Sequence, residues 1–128
     1  MLSVAAVFGG AGFGALLRWV LALALNPVFP TVPLGTLSAN VIGGFLMGLA
    51  VQLFAAHPSS APELRLLLTT GFLGGFTTFS TFSAEVVDLI GRRLYGWSLI
   101  HVSAHLFGSL ALTILGLEAA RLLTGGRP

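Results

Sequence analysis

Four long apolar stretches, separated by short segments rich in polar residues, glycine or proline, make up most of the chain. Each is long enough for an α-helix to cross the hydrocarbon core of a bilayer, which takes about 20 residues. Turn-forming residues such as Asn26-Pro27 mark the boundaries between them. The pattern predicts an all-α membrane protein, a single domain over residues 1–128 with spans at about 2–25, 34–56, 63–90 and 97–123.

The third apolar stretch contains a segment that a membrane helix does not easily accommodate. Residues 71–83 read Gly-Phe-Leu-Gly-Gly-Phe-Thr-Thr-Phe-Ser-Thr-Phe-Ser, and paired glycines followed by β-branched threonines weaken a helix. Backbone groups without a hydrogen bond cost several kcal/mol each in hydrocarbon, so a break must be buried in protein or line a polar cavity. We predict a break near Gly74–Thr78 that forms part of an ion site.

Polar side chains also recur inside the second and fourth stretches. Asn40 lies in mid-span on a face of small and polar residues, and it either bonds across a helix interface or serves a permeating species. The fourth stretch carries a stripe with a spacing of four, at His101, His105, Ser109 and Thr113. A His-x-x-x-His pair is able to hold zinc, but the sequence places no third ligand of the right type and has no cysteine. A polar track that faces the hydroxyl-rich half of span three explains the stripe better.

Composition supports a membrane location and argues against an enzyme. The chain is 55% hydrophobic and 8% charged, whereas soluble domains carry about 25% charged residues. Its few arginines are too scattered for a nucleic-acid partner. The sequence shows no activated nucleophile, paired catalytic carboxylates or phosphate-binding loop. We therefore expect a multi-pass membrane protein that is not an enzyme.

The arginines are divided evenly between the two sides of the predicted membrane. Arg65, Arg121 and Arg127 lie on one side, and Arg18, Arg92 and Arg93 lie on the other. The positive-inside rule then selects neither orientation. We predict insertion in both senses and an antiparallel homodimer with two-fold symmetry.

The intramembrane polar groups are mostly hydrogen-bond donors without full positive charge, which suits a small anion. The ring edges of Phe79 and Phe82 carry the positive end of the ring quadrupole and can face the same anion. Two alternatives remain open at this point. One is a small dual-topology, proton-coupled exporter of cationic compounds that uses Glu85, and the other is a structural subunit that passes no ion.

Three motifs give the chain a family resemblance. Gly74 to Phe82 reads Gly-Gly-Phe-Thr-Thr-Phe-Ser-Thr-Phe, span two contains Gly35-Thr36-Leu37-x-x-Asn40 with Gly43-Gly44, and span one contains Gly14-Ala15-x-x-Arg18 before an aromatic residue. These motifs resemble those of the Fluc family of small fluoride channels (CrcB proteins). The resemblance covers nearly the whole chain, although Trp19 stands where the family usually has Tyr or Phe.

The resemblance implies a function and a set of site residues. It implies passive export of fluoride from the cytoplasm through a prokaryotic plasma or inner membrane, with two pores per antiparallel dimer. Arg18 is expected to have a structural or vestibule role, or to anchor the interface, and Glu85 to lie near a vestibule. Backbone carbonyls of Gly74 and Thr77 from both subunits are expected to hold a structural Na⁺. The implied anion path is lined by Asn40, Phe79, Ser80, Thr81 and Phe82, with His105 and Ser109 on the span-four track.

Overall fold

The computed structural model describes residues 1–126, so Arg127, one of the arginines in the charge comparison, lies outside the described residues. Within that part of the chain all regular structure is helical and no strand occurs. We number the long helices in chain order. They are α1 (Leu2–Leu25), α2 (Leu34–Ala56), α3 (residues 62–76), α4 (Phe79–Gly91) and α5 (Tyr95–Leu123).

These helices confirm the predicted all-α architecture with four helical segments, the third of which is divided. By length and composition, three helical segments qualify as membrane spans, namely Leu2–Val28, Leu34–Ala56 and Tyr95–Leu123. The third segment does not qualify as one helix because it consists of α3 and α4, each too short to cross alone. Many large apolar side chains point outwards from the bundle, Phe8 and Leu122 among them, as expected for a surface that faces lipid.

The third segment is interrupted at two threonines. Thr77 (φ −89°, ψ 158°) and Thr78 (φ −151°, ψ 121°) are extended. The hydroxyl of Thr78 then caps α4, since its Oγ1 accepts a hydrogen bond from the Thr81 amide at 3.1 Å. The preceding pair Gly74 and Gly75 is still helical, so the glycines do not themselves make the break. α3 also contains a π-helical stretch, Leu66–Leu73, which the sequence did not predict.

Glycines permit two close helix pairings. On α1, a side chain at Gly14 would overlap the carbonyl oxygen of Phe72 in α3. On α2, a side chain at Gly48 would overlap the carbonyl oxygen of Thr113 in α5. The helix backbones therefore approach as closely as small residues allow in membrane proteins. The bundle consists of an α1–α3 pair and an α2–α5 pair, and α4 lies against α5.

The turn between α1 and α2 fixes one end of the bundle. Asn26 Oδ1 accepts hydrogen bonds from the amides of Gly35 at 2.8 Å and Thr36 at 3.3 Å, which satisfies two free N–H groups at the start of α2. The Phe29 ring in this turn packs edge-on against Trp97 at the start of α5, with centroids 5.3 Å apart. The end of α1 and the beginnings of α2 and α5 therefore lie at the same end of the molecule.

Candidate functional site

A cavity of about 600 Å³ lies beside the break, between α2, α4 and α5. It contains five of the seven residues predicted for the anion path: Asn40, Phe79, Phe82, His105 and Ser109. Thr77, Thr78 and Thr113 add polar groups to its wall, and apolar side chains complete the lining. No arginine or lysine lines this cavity within the described residues.

Asn40 holds the break in place. Its Oδ1 accepts a hydrogen bond from the Thr78 amide at 2.8 Å, and its Nδ2 donates to the Thr78 carbonyl at 2.9 Å. The same Nδ2 lies 3.1 Å from Nδ1 of His105. An amide nitrogen only donates, so His105 Nδ1 must be the acceptor and the neutral ring carries its proton on Nε2. Both amide hydrogens of Asn40 are thus engaged within the protein.

The phenylalanine rings form a continuous aromatic group with the two histidines. The centroids of Phe79 and Phe82 are 5.6 Å apart, and the ring planes are inclined at 58°. Phe82 lies 4.6 Å from the ring of His105 and 5.5 Å from that of His101. Phe79 is 80% exposed in the single chain. The ring of Phe82 therefore links the cavity wall to the histidines, whereas Phe79 lies at the open side of the cavity.

The break also releases backbone carbonyls. In a continuous helix the amides of Thr78 and Thr81 would bond to the carbonyls of Gly74 and Thr77. Here the Thr78 amide bonds to Asn40, and the Thr81 amide bonds to the Thr78 hydroxyl. Gly74 is also exposed. Carbonyl oxygens without their helical partners are suitable ligands for a hard cation, so the predicted Na⁺ ligands fit the local backbone.

A second polar group lies one to two helical turns further along α4. Thr36 Oγ1 donates to Glu85 Oε1 at 2.6 Å, and His101 Nε2 lies 3.1 Å from Glu85 Oε2. The Glu85 side chain is 15% exposed, and with Thr81 it lines a smaller cavity of about 240 Å³ near the α1–α2 turn. A ligand atom of Glu85 and one ring nitrogen of each of His101 and His105 all lie within 4.8 Å of one another. Glu85 therefore lies where a third metal ligand would stand, contrary to the expectation that the histidines have none.

Two predicted site residues stand apart from these cavities. Ser80 is exposed, lines neither cavity, and has its hydroxyl 3.3 Å from that of Thr78. Arg18 is half-buried, and its Nε donates to the Gly75 carbonyl at 3.1 Å. Of the roles considered for Arg18, this contact corresponds to the structural one, because it satisfies a carbonyl at the end of α3.

Four polar residues of the site were not among the predicted site residues: Thr36, Thr78, His101 and Thr113. A signal for three of them was present, because Thr36, His101 and Thr113 each lie four positions from a predicted site residue and so share its helical face. Thr78 contributes mainly through its backbone, for which the sequence holds no comparable signal.

Comparison with known proteins identifies the family. Residues 5–117 match the family model described as "CrcB-like protein, Camphor Resistance (CrcB)". Similar proteins occur in Burkholderia ambifaria (55% identical), Burkholderia lata (54%) and Burkholderia mallei (53%). Each alignment spans 119 residues, 93% of both chains, and each relative is named fluoride-specific ion channel FluC. The chain thus belongs to the CrcB family of membrane proteins.

Proposed function

We propose that the chain forms a passive, fluoride-selective channel in a prokaryotic plasma or inner membrane and exports fluoride from the cytoplasm. The observation that carries this proposal is the 53–55% identity over 93% of the chain to relatives named fluoride-specific ion channels. The cavity beside the break supports it, because its polar wall lies among helices apolar enough to cross a membrane. The proton-coupled exporter has no support among these relatives.

The chemistry of the cavity wall suits a small anion. The Nε2–H of His105 is buried and has no partner within residues 1–126, and the Ser109 hydroxyl makes no hydrogen bond within the same residues. Neither group is used as a donor elsewhere in the described residues, and the edges of Phe79 and Phe82 add weakly positive C–H groups. Neutral donors replace part of the hydration shell of the anion without holding it as a cation would, which allows it to leave.

The functional unit in this proposal is an antiparallel homodimer with two pores. The cavity and the broken backbone beside it are open on one side in the single chain, where Gly74 and Phe79 are exposed. A second copy of the chain would cover this open side.

A labelling experiment tests the dual topology. The chain has no cysteine, so a single cysteine placed at exposed Ser59 reports which way each chain is inserted in the membrane. In sealed vesicles an impermeant thiol reagent should label about half of the Ser59→Cys chains, as dual topology requires. Complete labelling, or none, would rule out dual topology.

A structural Na⁺ bound by the Gly74 and Thr77 carbonyls of both subunits completes the proposed dimer. Na⁺ would neutralise the partial negative charge of carbonyls that have lost their helical donors. We expect replacement of Na⁺ by a large organic cation to weaken the dimer, as measured by its mass in detergent. An unchanged dimer mass after exhaustive Na⁺ removal would contradict this assignment.

Glu85→Gln separates the channel from an exporter. Glutamine can still accept the hydrogen bond from Thr36, and a tautomer change lets His101 bond to its amide. We therefore expect passive fluoride efflux to remain within about tenfold of wild type, since no more than about 1 kcal/mol of hydrogen bonding changes. A proton-coupled exporter would lose transport completely. Efflux from liposomes loaded with potassium fluoride, started by adding valinomycin, measures this difference and tests the proposed function itself.

A further inference from the structure

We propose that Glu85, His101 and His105 form a binding site for a divalent transition metal of the Zn²⁺ type, and that metal bound there obstructs the anion path. The first part depends only on the three side chains. The second part rests on the proposed channel function.

The geometry provides a suitable ligand set. One ligand atom from each residue lies within 4.8 Å of the other two, and in a tetrahedral zinc site such atoms are about 3.4 Å apart, given bonds of about 2.0–2.1 Å. Glu85 has several rotatable bonds and is partly exposed, so its carboxylate can move towards the histidines and shorten the distances between the ligand atoms. Two histidines and one glutamate, with a fourth position for water, are an established zinc ligand set.

Unpartnered buried nitrogens are the second observation that points to a ligand. His101 is 0% exposed and His105 is 5% exposed. Within residues 1–126, His101 Nδ1 and His105 Nε2 are buried and have no hydrogen-bond partner. Buried polar atoms are normally satisfied, and those that are not call for an explanation. A metal ion bound by His105 through Nε2 would give that nitrogen a partner.

Neighbouring groups are placed to orient the ligands. Thr36 donates to one oxygen of Glu85, a contact of the kind that orients carboxylate ligands in metal sites. His101 Nε2 lies 3.1 Å from the other oxygen, and the two atoms can bind one ion once the neutral His101 ring carries its proton on Nδ1. For His105 to bind through Nε2, its proton must move to Nδ1, and its hydrogen bond from Asn40 is then lost. Metal binding thus replaces two hydrogen bonds, the one from Asn40 to His105 and the one between His101 and Glu85. Asn40 keeps both of its contacts with Thr78.

The access route favours a cation and the ligands select its type. Glu85 opens into the smaller cavity, which Asp88 also lines. The only positive side chain paired with Asp88 in the described part of the chain is Arg92, at 3.3 Å, and both side chains are more than half exposed. Imidazole ligands favour Zn²⁺, Ni²⁺ and Co²⁺, whereas Mg²⁺ and Ca²⁺ require sites built mainly of oxygen ligands.

A metal at this site would change the anion path directly. His105 lines the large cavity, and its ring contacts that of Phe82. A bound dication would remove the His105 Nε2–H donor and place two positive charges beside the path. Fluoride would then be held rather than released, because conduction requires binding weak enough for the ion to leave.

Titration calorimetry of the purified protein with Zn²⁺ tests the site. We expect one zinc ion per chain, and at least about tenfold weaker binding in His101→Ala and in Glu85→Gln, since loss of even a supporting group costs about 10–100-fold. His101→Gln replaces the alanine variant if that chain does not fold. The control is His57→Ala, because His57 lies in the exposed 57–61 connection and should leave zinc affinity unchanged. Mg²⁺ should produce no binding.

The ratio of fluoride efflux with and without Zn²⁺, measured for each variant, tests the obstruction. We expect Zn²⁺ to reduce efflux in wild type and His57→Ala, and to have little effect in His101→Ala. Absence of zinc binding, or equal affinity in wild type, His101→Ala and Glu85→Gln, would overturn the site. Zinc binding without inhibition would overturn the obstruction. A chain that binds zinc through His101 yet releases no fluoride would instead overturn the proposed channel and leave the metal site intact.

Discussion

Replacing Phe82 by isoleucine should reduce fluoride efflux by about tenfold or more while the protein remains folded. Phe82 lines the cavity, and its ring lies 4.6 Å from His105 and 5.6 Å from Phe79. Isoleucine has a comparable apolar bulk but no quadrupole, so the positive ring edge offered to the anion is lost. A tenfold fall corresponds to about 1.4 kcal/mol on the barrier to permeation. Phe79→Ile should act in the same direction, because Phe79 lines the same cavity.

Efflux from proteoliposomes measures the effect, and elution of the variant at the wild-type position in detergent verifies folding. Phe107→Ile is the matched control. Phe107 is 64% exposed on α5 and lines neither cavity, so its replacement should leave efflux near the wild-type value. Wild-type efflux in both Phe79→Ile and Phe82→Ile would remove these residues from the path.

Asn40→Leu should abolish efflux and destabilise the fold by about 2–6 kcal/mol. Leucine has nearly the same size but cannot bond to either backbone group of Thr78, and each buried group left without a partner costs about 1–3 kcal/mol. His105 Nδ1 would also lose its donor, so the Nε2–H tautomer would no longer be enforced. The change should therefore affect both the shape of the break and a donor of the cavity wall.

Unfolding by denaturing detergent measures the change in the free energy of unfolding, and efflux is measured on the same preparation. Met47→Leu is the control, because Met47 also lines the cavity and the change conserves volume and removes no hydrogen bond. It should cost less than about 1.5 kcal/mol and leave efflux largely intact. If Asn40→Leu were as stable as Met47→Leu, the contacts with Thr78 would not be what holds the break.

Much of the fold is readable from the chain because a bilayer imposes a length on each apolar stretch. The bounds of α1 and α2 agree with the predicted spans, and the break lies at the end of the predicted interval, at Thr77 and Thr78. Of the residues to which its cause was assigned, the two threonines are extended but the two glycines are not. Gly74 and Gly75 remain helical, and Gly75 instead allows the backbone of Ala11 to approach closely. A glycine pair in sequence indicates weak helix or close packing equally well.

For the site, the sequence predicted which residues share one face of a helix, but it did not predict the contacts between helices. Positions four apart share a face, which correctly grouped His105 with Ser109 along one side of the large cavity. Contacts between helices depend on rotation and register, and nearly uniform apolar helices leave both unspecified. For that reason the approach of Glu85 to His101 and the bond from Arg18 to Gly75 were not foreseen. The tautomer of His105 follows from the orientation of Asn40, which only coordinates supply.

The most direct test of the channel is a paired measurement of fluoride and chloride efflux. Liposomes containing the purified wild-type protein are loaded with potassium fluoride or potassium chloride, and release is started by valinomycin. We predict rapid, complete fluoride release and chloride release no faster than from protein-free liposomes. Equal release of the two halides, or no fluoride release above the protein-free rate, would contradict a fluoride-selective channel.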